Sequence, residues 1–595
     1  MPDVLLEADG ADDVLGRAFD RRLAARLWVA ARPHHRLVWS SMALFPLVAA
    51  MELAQPYLLK VAIDDHILHA DWTGLAAVAG LYAGTLAVLY GLRMLEEYLM
   101  ALTGQRVIHD LRSALFRHLL RLEAAFFDRT PVGRLMTRVL SDVDAVSEAF
   151  TSGLFAIVAD VVTVVGVVVM MLWLDWRLAL VTYAIVPVLF GVAAYFRLRA
   201  RDAYREVRRR LARLNAFLQE SLQGMAVTQL FAREAHERRH FERLNQEYRR
   251  ALFGSTVYEA SLYATVEALG SVALALLVWY GGGRILEGAL TFGVLVAFIQ
   301  YTNRFFLPIR DLGAKYTVMQ AAMASAERIF GLLDRPAGIV GAASPRTPAG
   351  GTGRASFEGV WFAYEDERWV LADCSFTVAP GEHVALVGTT GEGKSTCARL
   401  LNRTWDVARG RVLIDGVDAR EWDLLRLRRH VGVIFQDPVL FTGTVEANLS
   451  LDGDLGRAAL ERALQTANAA ALVDRLPGGL ATPLVERAAN LSYGERQLLA
   501  IARALVYNPA ILVLDEATSS VDPESERMIR EAMARLMAGR TTITIAHRLS
   551  TIQTADRILV LHRGRIHEEG THATLLRRGG LYARLHELSA GAVLG

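Results

Sequence analysis

Residues 388–395 read Gly388-Thr-Thr-Gly-Glu-Gly-Lys394-Ser395, a spacing of glycines, one lysine and one hydroxyl suited to holding phosphate. Gly388, Gly391 and Gly393 let the backbone curl around an anion, with Thr389, Thr390 and Glu392 supplying further N–H groups between them. Lys394 reaches the terminal phosphates, Ser395 offers a hydroxyl to Mg²⁺, and Thr396 follows at the positive end of a helix dipole. Basic residues in this chain are overwhelmingly arginine, and Lys394 is the only lysine after Lys315. A compact ammonium on a flexible stem is what such a loop requires. A second motif, Ile511-Leu-Val-Leu-Asp515-Glu516, ends an apolar run in two carboxylates. Asp515 is placed to hold Mg²⁺ through water and Glu516 to face a γ-phosphate and polarise an attacking water.

Both motifs need strands to aim them. Short apolar runs at 383–387, 431–435, 511–514 and 541–545 read as buried strands alternating with helical patterns, which predicts a mainly parallel sheet. The phosphate loop follows the first of these and opens a helix. This α/β domain begins near Ala355, after a stretch at 337–354 rich in Ala, Gly, Pro and Ser that reads as a linker. The only cysteines, Cys374 and Cys397, lie in this half. Two cysteines imply no disulfide framework and a reducing compartment.

The first half is a different material. The chain has 595 residues, 53% of them hydrophobic, with a mean hydropathy of +0.26, high for a soluble protein of this length. Apolar stretches at 37–59, 73–91, 153–174, 178–196, 257–280 and 292–308 are each long enough to cross a bilayer as a helix. Long arginine-rich segments such as 106–121 and 197–213 separate the second from the third and the fourth from the fifth, whereas the other connections are short. This asymmetry places both long segments and both termini in the cytoplasm of a cell (inner or plasma) membrane. Leu111, Leu115 and Leu119 recur at helical spacing, so the spans are expected to continue as cytoplasmic stalks. The first residues lack an apolar core before a small-residue cleavage site, so no cleaved signal is expected. The arginines are explained by a membrane surface, and nucleic acid is not an expected partner.

With these motifs in order, the C-terminal domain resembles the nucleotide-binding domain of the ATP-binding cassette (ABC) family. Tyr364 matches the aromatic residue that stacks on adenine in that family. Gln436, in Phe435-Gln-Asp-Pro438, matches the glutamine that touches Mg²⁺ and senses the membrane domain. Leu491-Ser-Tyr-Gly-Glu495 occupies the place of the signature peptide, so that Ser492, Gly494 and Glu495 are implied to grip the nucleotide of a second subunit. Asp522, in Ser519-Ser-Val-Asp522, matches the loop at the dimer interface, and His547 the switch histidine that contacts the γ-phosphate. In the membrane half, Phe126-Phe-Asp-Arg-Thr-Pro131-Val-Gly133, followed by Asp142, resembles the first cytoplasmic loop of exporters, where a transverse helix docks on the ATPase. Asn215, Glu220 and Gly224 resemble the second stalk.

The resemblance implies a multidomain half-transporter with an N-terminal cytoplasmic segment and elbow helix (1–36), an all-α six-helix transmembrane domain with long cytoplasmic helical extensions (37–336), a linker (337–354) and an α/β P-loop ABC ATPase domain (355–595). Its cofactors would be ATP and Mg²⁺, and its cargo a drug, lipid or peptide-like molecule. ATP would close the dimer and hydrolysis reset it. A soluble ABC ATPase is opposed by the apparent spans. An importer is opposed by the fusion of spans and ATPase, and a protease-bearing peptide exporter by the short chain before Leu37. An ATP-gated regulator or channel of the same fold remains the alternative, opposed by the presence of both Glu516 and His547. Tyr493 and Glu495 replace the family's usual glycine and glutamine, and Ala488 replaces an upstream glycine. These departures favour a heterodimer with a second half-transporter over a homodimer. Among charges inside the spans, Glu267 and Arg304 lie at similar depths, about 20 Å and 18 Å from the outer end, and are expected to pair. Glu52 has no basic residue level with it and is expected to face the cavity and favour cationic or polar-headed cargo. Glu259 lies near enough to the cytoplasmic interface to be solvated.

Overall fold

The computed structural model describes residues 20–342, 344–346, 348, 351–365, 368–451, 455–515, 523–545 and 552–591. They fall into two compact units, one of Met1–Arg117 with Gly133–Arg335, the other of His118–Val132 with Pro336–Gly595. Glu516, Asp522 and His547 lie outside the described residues.

The first unit is helical. Four helical stretches among the described residues, Arg21–Ile67, Trp72–Leu119, Val132–Leu174 and Glu234–Leu286, are long and apolar enough to cross a membrane. Helices are the expected answer, because hydrocarbon offers no partner to a free backbone N–H or C=O. Trp72–Leu119 has 48 residues and Glu234–Leu286 has 53. At 1.5 Å per residue both far exceed a hydrocarbon core of about 30 Å, as the expected stalks require. Helix Val186–Gln223 stops at Gly224, and a short helix, Met225–Leu230, turns the chain before the next stalk. The sixth apolar stretch lies within Phe292–Leu333.

Two expectations are corrected here. The fourth stretch is not one helix but two, Trp176–Tyr183 and Val186–Gln223, with Pro187 in the first turn of the second. Proline has no N–H to give the preceding turn, so it starts a helix more readily than it continues one. Arg304 does not pair with Glu267, which is exposed. It hydrogen-bonds Gln55 Oε1 at 2.7 Å and lies 3.7 Å from Glu52. Glu52 is buried and also accepts a hydrogen bond from Arg93. It has two basic partners where the sequence pointed to none, which removes the reason for assigning it to cargo.

In the second unit a six-stranded sheet runs β12-β11-β3-β10-β9-β6. Its strands are β3 (His383–Val387), β6 (Val431–Ile434), β9 (Ile511–Asp515), β10 (Thr541–Ile545), β11 (Arg557–His562) and β12 (Arg565–Gly570). All neighbours are parallel except β11 and β12. The four expected strands are its β3, β6, β9 and β10. β3, β9 and β10 are mainly apolar or β-branched and buried almost throughout, the pattern of a parallel strand covered on both faces, whereas β6 at the end of the sheet is buried only at Val431 and Ile434. A second, antiparallel sheet runs β2-β1-β4-β5, from β1 (Ala355–Ala363), β2 (Trp369–Val378), β4 (Arg409–Ile414) and β5 (Val417–Asp418). Both cysteines are buried and unbridged, packed in the core shared by β2 and helix Lys394–Leu401.

Candidate functional site

In the parallel sheet Ile545 lies level with Leu386 on one side and Asp515 on the other, and Leu514 is level with Ile434. The ends of β3, β10, β9 and β6 therefore reach one edge together. Gly388, Asp515 and Gln436 leave the sheet at this carboxyl edge, where open α/β sheets bind ligands. Strand β10 ends at Ile545 between the first two.

The turn after β3 is built for close approach. A Cβ on Gly388 would stand 2.5 Å from the Leu561 carbonyl oxygen, and one on Gly393 2.7 Å from Leu371. Gly391 and Gly393 have φ of +91° and +102°, which only glycine adopts cheaply. Helix Lys394–Leu401 starts directly after. Lys394 is 5% exposed and donates from Nζ to the carbonyls of Gly388 at 2.7 Å and Thr389 at 2.9 Å. Desolvation pushes its ammonium down, against the opposing pull of Glu392 and Asp515. Thr389, Thr390, Gly391 and Ser395 are exposed along the rim.

Glu392 ties this loop to the turn between β11 and β12. It accepts from Thr389 Oγ1 at 3.0 Å and from the Arg563 N–H, and His562 Nδ1 lies 3.3 Å away. Desolvation raises its carboxyl, but these hydrogen bonds and His562 outweigh it and hold the group below its usual value.

Thr396 is buried, and its hydroxyl meets the Tyr364 hydroxyl at 2.9 Å. The Tyr364 ring is edge-on to Phe362 and Trp405 at centroid distances of 4.8 Å and 5.0 Å, and the Arg399 guanidinium lies 5.7 Å from it. Arg129, at the end of helix Ala124–Arg129, donates to the Tyr364 carbonyl, and Asp128 faces Arg399 at 3.4 Å. A cavity of about 380 Å³ opens here, lined by Asp128, Arg129, Tyr364, Glu365, Arg368, Val370 and Trp405. Tyr364 thus lies against the helix that follows the phosphate loop. Trp405 and Arg399 carried no signal in sequence, because neither belongs to a motif and only folding brings them to Tyr364.

Gln436 is exposed beyond β6. Ser492 caps helix Tyr493–Tyr507: its Oγ accepts the Glu495 N–H at 3.3 Å while Glu495 Oε2 accepts the Ser492 N–H at 2.8 Å. Gly494 is buried behind them. The N-terminus of a 15-residue helix therefore presents Ser492 outward with its hydroxyl hydrogen uncommitted by the cap. Just upstream, Arg487 and Ala488 have φ of +56° and +49°. The glycine expected at 488 is replaced by alanine, and the left-handed backbone is retained.

The donor set of Ser395, Asp515 and Gln436 is all hard oxygen: hydroxyl, carboxylate and amide carbonyl. It fits Mg²⁺ rather than a metal that favours nitrogen or sulfur.

Comparison with known proteins adds the following. Residues 38–309 match the ABC transporter transmembrane region and residues 371–519 the ABC transporter family. An uncharacterised ABC transporter ATP-binding protein of Bacillus subtilis, YknV, is 35% identical over 97% of this chain and 96% of its own. An ATP-dependent lipid A-core flippase of Thiobacillus denitrificans is 37% identical over 96% and 98%. A probable multidrug resistance ABC transporter ATP-binding/permease protein of B. subtilis, YheH, is 36% identical over 87% and 77%. A solved bacterial Atm1-family ABC exporter with ATP bound superposes with a TM-score of 0.76 at 31% identity, covering 93% of this chain and 98% of that one.

Proposed function

The chain belongs to the ABC transporter family, as a transmembrane region and an ATPase domain fused in one polypeptide, and from that premise we propose that it exports or flips amphipathic molecules by alternating access. It is a multi-pass membrane protein whose ATP hydrolysis is coupled to transport, and it works as a dimer. The cargo is a hydrophobic or amphipathic drug, lipid or peptide-like molecule, and the names of the flippase and multidrug relatives support a lipid or drug. The membrane is the cell (inner or plasma) membrane, with both termini and the ATPase in the cytoplasm. The observation that carries the reading is the convergence of Gly388–Ser395, Asp515 and Gln436 on one sheet edge, with Tyr364 packed on the helix that follows the loop.

In this reading adenine rests on Tyr364 and the phosphates lie against the loop residues Gly388 to Thr396. Ser395, Asp515 and Gln436 would hold Mg²⁺, which neutralises charge between the phosphates. Glu516 polarises the attacking water, His547 contacts the γ-phosphate and Asp522 crosses the dimer interface. Ser492, Gly494 and Glu495 grip the partner's nucleotide. Glu516→Gln is expected to retain ATP binding while hydrolysis falls at least about a hundredfold, the scale of general-base loss, whereas Lys394→Ala impairs binding itself. Filter binding and phosphate release on the protein in lipid measure both. Full turnover in Glu516→Gln would refute the assignment. Uphill cargo accumulation in vesicles separates an exporter from an ATP-gated channel, which only equilibrates it.

The departures at Tyr493, Glu495 and Ala488 support a heterodimer. The intact cap between Ser492 and Glu495 supports a homodimer, because the helix end retains its anion-binding geometry. ATP hydrolysis by the chain expressed alone, at a rate matching transport, decides for the homodimer.

A further inference from the structure

Tyr493 is the first residue of helix Tyr493–Tyr507, directly after Ser492. Its phenol donates to the backbone carbonyl of Gln436 at 2.7 Å, and its ring lies 5.9 Å from the Arg496 guanidinium. Further along the helix, Arg503 donates to the carbonyl of Val439 at 3.0 Å. Residues 493, 496 and 503 share one side of the helix at 100° per residue. The segment leaving β6 is therefore strapped to the signature helix at two points, one of them the side chain that replaces the family's glycine. Glycine could make no such strap.

We propose that Tyr493 is a positioning residue that couples the two ATP sites of the dimer, by tying the signature peptide that reads the partner's nucleotide to the Gln436 segment of its own site. This rests on the functional reading above. Nucleotide gripped by Ser492 shifts the start of the helix, and the phenol–carbonyl bond passes that shift to Gln436 without a change in the rest of the sheet. The linkage is reciprocal: each nucleotide raises the affinity of the other site by the same factor.

The test is equilibrium binding of a fluorescent, non-hydrolysable ATP analogue with Mg²⁺ to the full-length protein in lipid nanodiscs. Coupling of about five-fold between two sites gives a Hill coefficient of about 1.4. In Tyr493→Phe, which retains the ring and loses the hydroxyl, the coefficient falls to 1. A merely structural role would lower the thermal midpoint of Tyr493→Phe and leave the curve cooperative, and that result overturns the proposal. A non-cooperative wild type overturns it as well. Arg503→Lys serves as a second variant, since lysine keeps the charge but loses the guanidinium reach to Val439, and is expected to weaken the cooperativity partly. Unchanged cooperativity in both variants overturns the proposal. Lys394→Ala in the same assay separates this from failure of the ATP-site reading: if that variant binds as wild type does, the reading falls, and if it does not, only the coupling is judged by Tyr493→Phe.

Discussion

Ala488 holds a left-handed backbone conformation at φ +49° while fully buried, and Arg487 precedes it at +56°. A residue with a Cβ pays for that conformation in strain of about 1–2 kcal/mol. Glycine would relieve the strain but lose a buried methyl worth about 0.8 kcal/mol and gain chain entropy when unfolded. Ala488→Gly is therefore expected to stay within about 1 kcal/mol of wild type. Ala488→Val, whose branched Cβ tolerates this region poorly, should destabilise by about 1–3 kcal/mol. Thermal unfolding of the two variants in detergent checks both signs. The replaced glycine was visible in the sequence, as was the phosphate loop, since each is a local pattern in which residue type answers to backbone shape. The use found for Tyr493 was not, because the Gln436 carbonyl is 57 positions away in the chain.

At the level of helices, the membrane charges are the instructive failure. The expected pairing of Glu267 with Arg304 compared depths along separate spans but not the direction each residue faces around its helix. Arg93 was left out altogether, since it falls just beyond the apolar window at 73–91, although its long side chain reaches Glu52. Strands fared better: the run of β-branched and apolar residues in β3, β9 and β10 fixes both type and length. The break before Val186 was readable from Pro187 and was overridden by the hydropathy of its surroundings. Because Glu52 is held by Arg93 and Arg304, the three should behave as one unit. Glu52→Gln and Arg304→Gln together are expected to cost less stability than the sum of the two, with a coupling on the order of 1 kcal/mol. The double-mutant cycle is read from thermal unfolding. Vesicle uptake of a cationic and a neutral substrate by Glu52→Gln should change alike for both, and selective loss of the cation would return Glu52 to the cargo path.

For the molecule as a whole, the arginine asymmetry predicts an orientation that can be tested directly. The two native cysteines are buried, so they give little background to a thiol reagent applied to the folded protein. His69 and Arg121 are both exposed. His69→Cys should react with a membrane-impermeant maleimide added outside intact cells, and Arg121→Cys only after the cells are opened; the reverse pattern would invert the topology. Domain limits were less legible. The linker at 337–354 is marked by composition, whereas composition alone does not group residues 118–132 with the ATPase unit; only the resemblance of Phe126–Gly133 to the exporters' first cytoplasmic loop pointed there.

That segment has a consequence in time. Helix Ala124–Arg129, with Phe126 buried and Arg129 bonded to the Tyr364 carbonyl, belongs to a unit whose remainder starts at Pro336 and runs to the end of the chain. A ribosome adding about 5–20 residues per second completes that remainder on the order of a minute after the helix has emerged. Throughout that interval the Tyr364 carbonyl that Arg129 bonds has yet to be placed, so the nascent transporter passes through a stage open to chaperones and to proteolysis that ends only when the ATPase residues have arrived.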